Sequence, residues 1–580
     1  MLNLPLPLAA TEFWMTTWLT PIWLVGMGVG AGLIAFAAVL GVLWLLSRIA
    51  PLEQFRRSGW PAHGAAFAIS IVLGGLLAWW ARSFFPVEPT ENSTSEWALI
   101  ATALWILSAL VSWALIFCPN RRLFGEARSL FFEGIGAFLL LSLIVISITG
   151  VMCSAIVNQP IETLASLQEL FSTGQRSQTV TVAGIDLSNE NSPLEKVDIN
   201  YDSPRLVEVE IKSDRNILMA DAANPGSFAM KPVRVEANTP LSWRRQGVIP
   251  PPLPVLEGAG LYIQNYEIDP ATVTITWRTL PPVPQVITII FAAITVVCFG
   301  LFYIVVEGIS PRASAIALAS AKSEVSQPLF FVLMIMGLCS IGLFVFMPFN
   351  TFGEDIKLLK DCGITVILVL SMIQGIWSAS SSVSEEIEGR TALTVLSKPV
   401  SRTEFIIGKM VGVFYILLLM FVILGACLLL AVAYKPLYDA REASQETPMW
   451  QICHMEVMST LPGLAMALVQ AGALSAFSVA IATRVPQLAN FAICFAIYLI
   501  GHLTESIVAS SESGFAIIQF VGQLIAVIVP NLEHFSMQAA IDSGNPIPIS
   551  YLSGTLIYGV LYSVIFILLG LLLFEDRDLA

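Results

Sequence analysis

The densest group of charged and turn-forming residues in the apolar half of the chain lies between Ser384 and Glu404. An acidic cluster comes first, then a glycine and an apolar stretch, then basic residues around a proline. The members suited to hold a partner are Glu385, Glu386, Glu388, Gly389, Arg390, Leu393, Leu396, Lys398, Pro399 and Arg402. A small apolar knob ringed by charge is typical of a protein–protein contact. The pattern predicts two short helices separated by Gly389 and a docking surface, with an ordinary solvated loop as the alternative.

The residue types give no support for catalysis in this chain. The sequence has no phosphate-binding GxxxxGK[ST] loop, since Gly408-Lys409-Met410 lacks both the upstream glycine and the Ser or Thr that would hold magnesium. It has no HExxH motif, and its histidines are isolated in sequence, at His63, His454, His502 and His534. We therefore expect no catalytic residue, no metal ligand and no cofactor in this chain, and we expect it not to be an enzyme.

Composition indicates a protein that spans a membrane many times. Hydrophobic residues make up 56% of the chain and charged residues 12%. Several apolar runs exceed the roughly 18 residues that suffice to cross a bilayer. In order they predict eleven crossings, near 22–47, 63–81, 97–117, 130–156, 285–306, 328–347, 362–383, 405–433, 456–481, 486–503 and 551–574. The net charge of -13 gives no support for nucleic acid binding. Because Met1 to Thr20 contains no Lys or Arg, it lacks the basic start of a cleavable signal peptide and is expected to remain in the mature protein.

Sidedness follows from Lys and Arg, which short cytosolic connections retain. These residues follow the first, third and fifth predicted crossings and recur in the 384–404 loop, so all these connections are placed in the cytosol. The N-terminus is then outside and the C-terminus cytosolic. The apolar run at 515–529 is short for a crossing and stands in a region without Lys or Arg. It is predicted to be a re-entrant helix on the outer side, and a twelfth crossing is the alternative.

Residues 157–284 have the composition of a soluble domain. Apolar and polar residues alternate over Leu206–Lys212, Val233–Glu236 and Val273–Trp277, which predicts strands of antiparallel sheets with one wet face. The length suits an Ig-like β-sandwich, and sidedness places it outside the membrane. The predicted fold class is therefore a mainly α, polytopic membrane protein with an inserted extracytoplasmic β-sandwich.

Polar residues near or inside the predicted core helices suggest further roles. Ser401 and Glu404 have capping-box spacing, so a helix is expected to start rigidly beside them. Lys409 lies one turn inside that helix and is expected to snorkel to the interface. Gln374, Gln470 and Asn490 are the deepest polar groups and are candidates for a substrate path, although helix–helix hydrogen bonding explains them equally well.

The eight cysteines are scattered, mostly within apolar runs, with no metal-ligand spacing. They are expected to be core fillers. Pairing of Cys362 with Cys453, both near predicted outer ends, is the alternative left open.

The order of acidic cluster, Gly, Thr-Ala-Leu, Ser-Lys-Pro and Arg-x-x-Phe resembles the loop after the second core helix in membrane subunits of type-2 ABC exporters. The resemblance covers about 311–580. It divides the chain into a four-helix membrane unit at 1–156, the β-rich domain at 157–284, a return helix at 285–310 and a six-span permease core at 311–580, which starts with a connecting helix along the inner interface.

That resemblance implies a permease of the bacterial cytoplasmic membrane, acting as a homo- or heterodimer with a separate cytosolic ATPase. The ATPase would bind ATP and magnesium and would act on the 384–404 loop. A non-exporting scaffold or mechanotransmission protein that relays ATPase motion to the outer domain is one alternative, and a secondary carrier is another. The sequence does not identify the substrate.

Overall fold

The computed structural model describes residues 14–49, 54–56, 59–81, 93–170, 174–184, 194–197, 199, 205–222, 231–245, 261–347, 354–386, 400–512, 517, 519–520, 522–524, 529–538, 540 and 547–575. The chain divides into two compact units. The first contains residues 1–157 and 288–580, and the second contains residues 158–287.

Helices dominate the described chain. In chain order they are α1 (Trp14–Leu46), α2 (Trp60–Ala81), α3 (Ser93–Phe117), α4 (Arg121–Gly125), α5 (Ala127–Phe132), α6 (Gly134–Cys153), α7 (Pro160–Glu169), α8 (Ile287–Ile309), α9 (Pro311–Val325), α10 (Pro328–Phe346), α11 (Asp355–Ser380), α12 (Arg402–Glu442), α13 (Trp450–Ala482), α14 (Gln487–Glu512) and α15 (Ile549–Glu575). Only α7 belongs to the second unit.

Ten of the described helices are long and apolar enough to cross a membrane, namely α1, α2, α3, α6, α8, α10, α12, α13, α14 and α15. The predicted crossing at 362–383 falls on α11, which is a helix but is not among these ten, so that crossing stays a prediction. The helix predicted at 515–529 lies mostly outside the described residues.

Two long helices form the centre of the first unit. In the most apolar stretch of α12 and of α13, 72% of residues are buried, against 17–33% in the other candidate spans. The other candidate spans surround these two helices. Many of their large apolar side chains are exposed, as expected of helices in contact with lipid.

Helices from before residue 157 pack into the same compact unit as the predicted core. The Tyr303 hydroxyl of α8 donates to the Leu130 carbonyl at 2.6 Å, and the Tyr303 ring lies 5.1 Å from that of Tyr415 in α12. In α1, glycines bring the backbone against its neighbours: a Cβ on Gly26 would lie 2.5 Å from Gly150 Cα in α6. The domain boundary at residue 311 stays a prediction.

The second unit contains two four-stranded antiparallel sheets. The strands are β1 (Gly174–Val182), β2 (Glu195–Val197), β3 (Leu206–Ser213), β4 (Ile217–Ala220), β5 (Val233–Val235), β6 (Leu241–Arg244), β7 (Leu261–Asn265) and β8 (Ala271–Thr279). One sheet has the order β1-β8-β3-β6 and the other β2-β7-β4-β5.

The alternation in the sequence sets which face of each strand is buried. Along β8, Ala271, Val273, Ile275 and Trp277 are buried while their neighbours are more exposed. These side chains form one apolar cluster with residues from both sheets. The strands predicted from period-two patterns are therefore present.

The eight cysteines are free thiols. Cys453 is buried and Cys362 is partly exposed. The disulfide between them that the sequence left open is not formed.

Close packing of α1 gives the first prediction. Gly26→Ala should lower the thermal unfolding midpoint of the detergent-purified protein, because its methyl group would overlap Gly150, and overpacking costs about 1–3 kcal/mol. Gly41→Ala in the same helix is the control, since a Cβ there has nothing within 4 Å. Equal midpoints for the two variants would contradict the α1–α6 contact.

Candidate functional site

The candidate site is the junction where α11 ends and α12 begins. The intervening residues 387–399 lie outside the described chain, and with them the predicted positions Glu388, Gly389, Arg390, Leu393, Leu396, Lys398 and Pro399. The Glu385 backbone is described, but its side chain is not. Glu386 and Arg402 mark the two edges of the junction.

Serine hydroxyls fix the end of α11. The helix passes into a π-helical turn at Ser381–Glu385, a feature often found at functional sites. The Ser384 hydroxyl contacts the carbonyls of Ala482 at 3.0 Å and Val485 at 2.8 Å, and that of Ser381 donates to Glu324 Oε1 in α9 at 2.7 Å. The entry to the loop is thus bonded to α9 and to the α13–α14 connection.

An ion pair joins the entry of the loop to the helix that leaves it. Lys409 Nζ donates to Glu386 Oε1 at 2.6 Å, and the side chains are 4% and 32% exposed. The ammonium also lies 5.4 Å from the Phe405 ring, which stacks on Phe574 at 5.6 Å. The ammonium of Lys409 therefore pairs with a partly exposed carboxylate at the loop entry, and its snorkelling to the membrane interface stays a prediction.

The predicted capping box is confirmed. Glu404 N–H donates to Ser401 Oγ at 3.1 Å, and Ser401 N–H donates to Glu404 Oε2 at 2.8 Å. Arg312 of α9 lies 3.7 Å from the same carboxylate. The first turn of α12 is thereby fixed within the chain and against α9.

Two arginines hold the final turn of α15. Arg402 Nη1 donates to the carbonyls of Phe574 at 2.9 Å and Glu575 at 2.6 Å, and Arg484 Nε donates to that of Leu573 at 2.7 Å. The last carbonyls of a helix lack intrahelical donors and carry partial negative charge, so guanidinium groups stabilise them. Sequence reasoning missed Arg484, whose only signal is a lone arginine in a short connection.

Gln374, one of the three predicted path residues, is fully buried in α11. Neither its Nε2 nor its Oε1 has a hydrogen-bond partner, and the hydroxyls of Ser371 and Ser378 on the same helix face are also unpartnered. Buried polar atoms without partners are costly. Gln374, Ser371 and Ser378 therefore form a buried polar stripe on α11 whose side-chain atoms have no hydrogen-bond partner in the described chain.

The other two path residues have partners. Asn490 Nδ2 donates to Ser380 Oγ at 2.7 Å and to the Ser478 carbonyl at 3.2 Å, while Gln470 Nε2 lies 3.0 Å from His502 Nε2. In the part of the chain that the structure describes, no hydrogen bond joins any two of the three path residues. Among the same residues, no group of three or more His, Cys, Asp or Glu is placed to hold a metal ion.

Two further lysines, which the sequence patterns did not single out, are buried in ion pairs. Lys360 in α11 donates to Glu456 of α13 and, at 2.6 Å, to Ser459. Lys435 in α12 pairs with Asp439 one turn later at 2.9 Å. Both lie at the ends of their helices remote from the loop junction, so ion pairs fix the long helices at their far ends as well.

The unpartnered amide gives the second prediction. Gln374→Met should raise the thermal midpoint of the purified protein, since a side chain of similar shape would relieve an unsatisfied group that costs about 1–3 kcal/mol. Gln470→Met is the matched control and should lower the midpoint, because it leaves His502 without that partner. A lower midpoint for the Gln374 variant would show that the amide is satisfied in the folded protein.

Comparison with known protein families identifies the family of this chain. The family model described as ABC-2 family transporter protein matches residues 136–579. The match begins within α6. It is longer than the stretch 311–580 over which the sequence motifs resemble type-2 ABC exporters. Neither the search of curated proteins nor that of solved structures gives a match. Because the family model covers more than half of the sequence, the chain belongs to the ABC-2 family of transporter membrane proteins.

Proposed function

We propose that the protein is the membrane-spanning permease subunit of an ATP-driven type-2 ABC exporter. Membership of the ABC-2 family implies a partner ATPase in general. A separate cytosolic ATPase would bind ATP and magnesium and act on the 384–404 loop of a permease dimer. This chain would then supply no catalytic group and would convert movement of the loop into reorientation of its helices.

The observation that carries this proposal is the Glu386–Lys409 pair. It bonds Glu386, the last described residue before the undescribed residues 387–399, to the second turn of α12, and Lys409 is nearly inaccessible to water. A charge that is removed from water and paired holds its geometry tightly, since separating the two partners leaves an uncompensated charge. Force on the loop would therefore be applied to α12 rather than absorbed by a flexible connection.

The same junction offers a route for that force. The capping box orients the start of α12, and Arg402 ties this start to the end of α15. At 41 residues, α12 is about 60 Å long, twice the hydrocarbon thickness of a bilayer. A tilt imposed at the junction would reach the opposite side of the membrane through one continuous helix.

For location we propose the bacterial cytoplasmic membrane, with the N-terminus outside, the C-terminus in the cytosol and the β-rich unit outside. The Lys and Arg residues of the short connections support this orientation. Gln374, Gln470 and Asn490 remain candidates for contact with the transported molecule. Of these, Gln374 is the strongest, because its amide has no partner within the protomer.

A mechanotransmission protein is the second candidate. The separate compact unit of residues 158–287 favours it, since a folded domain of that size suits a receiver of relayed motion. Flux of candidate substrates in proteoliposomes that contain the ATPase separates the two: ATP-dependent flux supports the exporter, and stimulated hydrolysis without flux supports the relay. Flux that needs an ion gradient and no ATPase would indicate the carrier.

Charge reversal gives the third prediction. Glu386→Lys should lower permease-stimulated ATP hydrolysis on the order of tenfold, a change that corresponds to about 1.4 kcal/mol. It would place two like charges together where the native pair is 2.6 Å apart. The swap Glu386→Lys with Lys409→Glu should restore much of the activity, because it re-forms the pair.

The control is Glu446→Lys, the same change at an exposed position between α12 and α13. It should leave hydrolysis unchanged. Thermal midpoints of all variants show whether the membrane part is intact. Full stimulation by the single Glu386 variant would remove the loop junction from the coupling mechanism.

A further inference from the structure

The arginine contacts at the end of α15 define one level in the helix bundle, from which the depth of other residues is measured. Because Arg402 and Arg484 bond the same helix end, the start of α12, the α13–α14 connection and the end of α15 lie at one level. At 1.5 Å per residue, Gln470 is about 18 Å from Ala482, and His502 is about 22 Å from Gln487. Both are within the roughly 30 Å hydrocarbon thickness counted from that level.

The segment 529–538 between α14 and α15 lies at this same depth. A Cβ on Gly501 of α14 would be 2.7 Å from Leu532 Cγ, and one on Gly559 of α15 would be 3.1 Å from Phe535 Cε1. The Asn531 N–H donates to the Tyr558 hydroxyl at 2.8 Å. Since α14 continues to Glu512, about 37 Å from its start, the chain returns by about 15 Å to reach this depth, which is about 8 Å inside the far boundary of the hydrocarbon.

The returning segment carries polar groups that are accessible. Glu533 is 45% exposed and lies 3.4 Å from His502, which is 28% exposed and contacts Gln470. Asn531 Nδ2 lies 3.3 Å from Glu505 Oε1. Ionisable groups at hydrocarbon depth face water or another protein surface, because contact with lipid is too costly.

The stretch of chain that carries most of these groups is acidic. No Lys or Arg occurs between Arg484 and Arg577 in the sequence. Aromatic rings accompany the histidines: Tyr498 lies 4.7 Å from the His502 ring and Tyr558 lies 5.7 Å from the His534 ring. Carboxylates beside aromatic faces attract cations.

We propose that Gln470, His502, Asn531 and Glu533 line a water-accessible site in the half of the membrane remote from the 384–404 loop, and that this site binds positively charged, amine-bearing groups. The claim that such a group belongs to the transported molecule rests on the proposed export function. Water access and charge preference are properties of the site itself.

Cysteine labelling in the full-length protein tests the site. Asn531→Cys should react with membrane-impermeant methanethiosulfonates from the side opposite the loop, at least about tenfold faster than Leu503→Cys. Leu503 is the matched control because it neighbours His502 in depth and is 53% exposed on an apolar helix face, where lipid would cover it. The unsubstituted protein gives the background from native cysteines.

The sign of the site is tested with a cationic trimethylammonium reagent and an anionic sulfonate reagent. Relative to free cysteine, Asn531→Cys should prefer the cation, and adding Glu533→Gln should reduce that preference about fivefold. Lack of labelling, or no cation preference, would overturn the proposal. A disulfide between two copies at Asn531→Cys on mild oxidation would overturn it in favour of a subunit interface. Labelling as expected without any ATPase coupling would contradict the export function but not the site.

Discussion

The structure of the loop junction depends on one ion pair whose lysine is buried and whose glutamate is partly exposed. Lys409 is 4% exposed, so its charge is tolerable only because Glu386 accepts a hydrogen bond from it. The pair forms between the residue that enters the loop and the helix that leaves it. The Ser384 hydroxyl contacts, the capping box of α12 and the Phe405–Phe574 stack lie in the same junction and hold the helices on either side of this ion pair.

The same physical rule recurs at other points of the membrane unit. Arginines satisfy the final carbonyls of α15, and carboxylates satisfy Lys360 and Lys435 at the far ends of α11 and α12. Between these polar anchors the long central helices contact each other mainly through apolar side chains. This arrangement is compatible with the coupling from one end that we propose.

The features that could be predicted from the sequence are those that depend on residues close together in the chain. The capping box depends on residues three apart, and the strands β3 and β8 on period-two alternation, so both follow from the sequence. The partner of Lys409 lies 23 positions away across the loop, and that of Arg484 lies 89 positions away. No local pattern encodes such pairs, or the β1-β8-β3-β6 strand order, because tertiary packing decides them.

We propose that an ATPase binds the 384–404 loop, at whose base Glu386 and Lys409 form an ion pair. The most direct measurement replaces Leu393 with a photo-crosslinking phenylalanine analogue, irradiates membranes, and labels the crosslinked product with a photoreactive ATP. We predict that residue 393 crosslinks to a separate polypeptide that carries the nucleotide label. Crosslinks confined to lipid or to other copies of this chain, with no nucleotide-labelled product, would contradict the account.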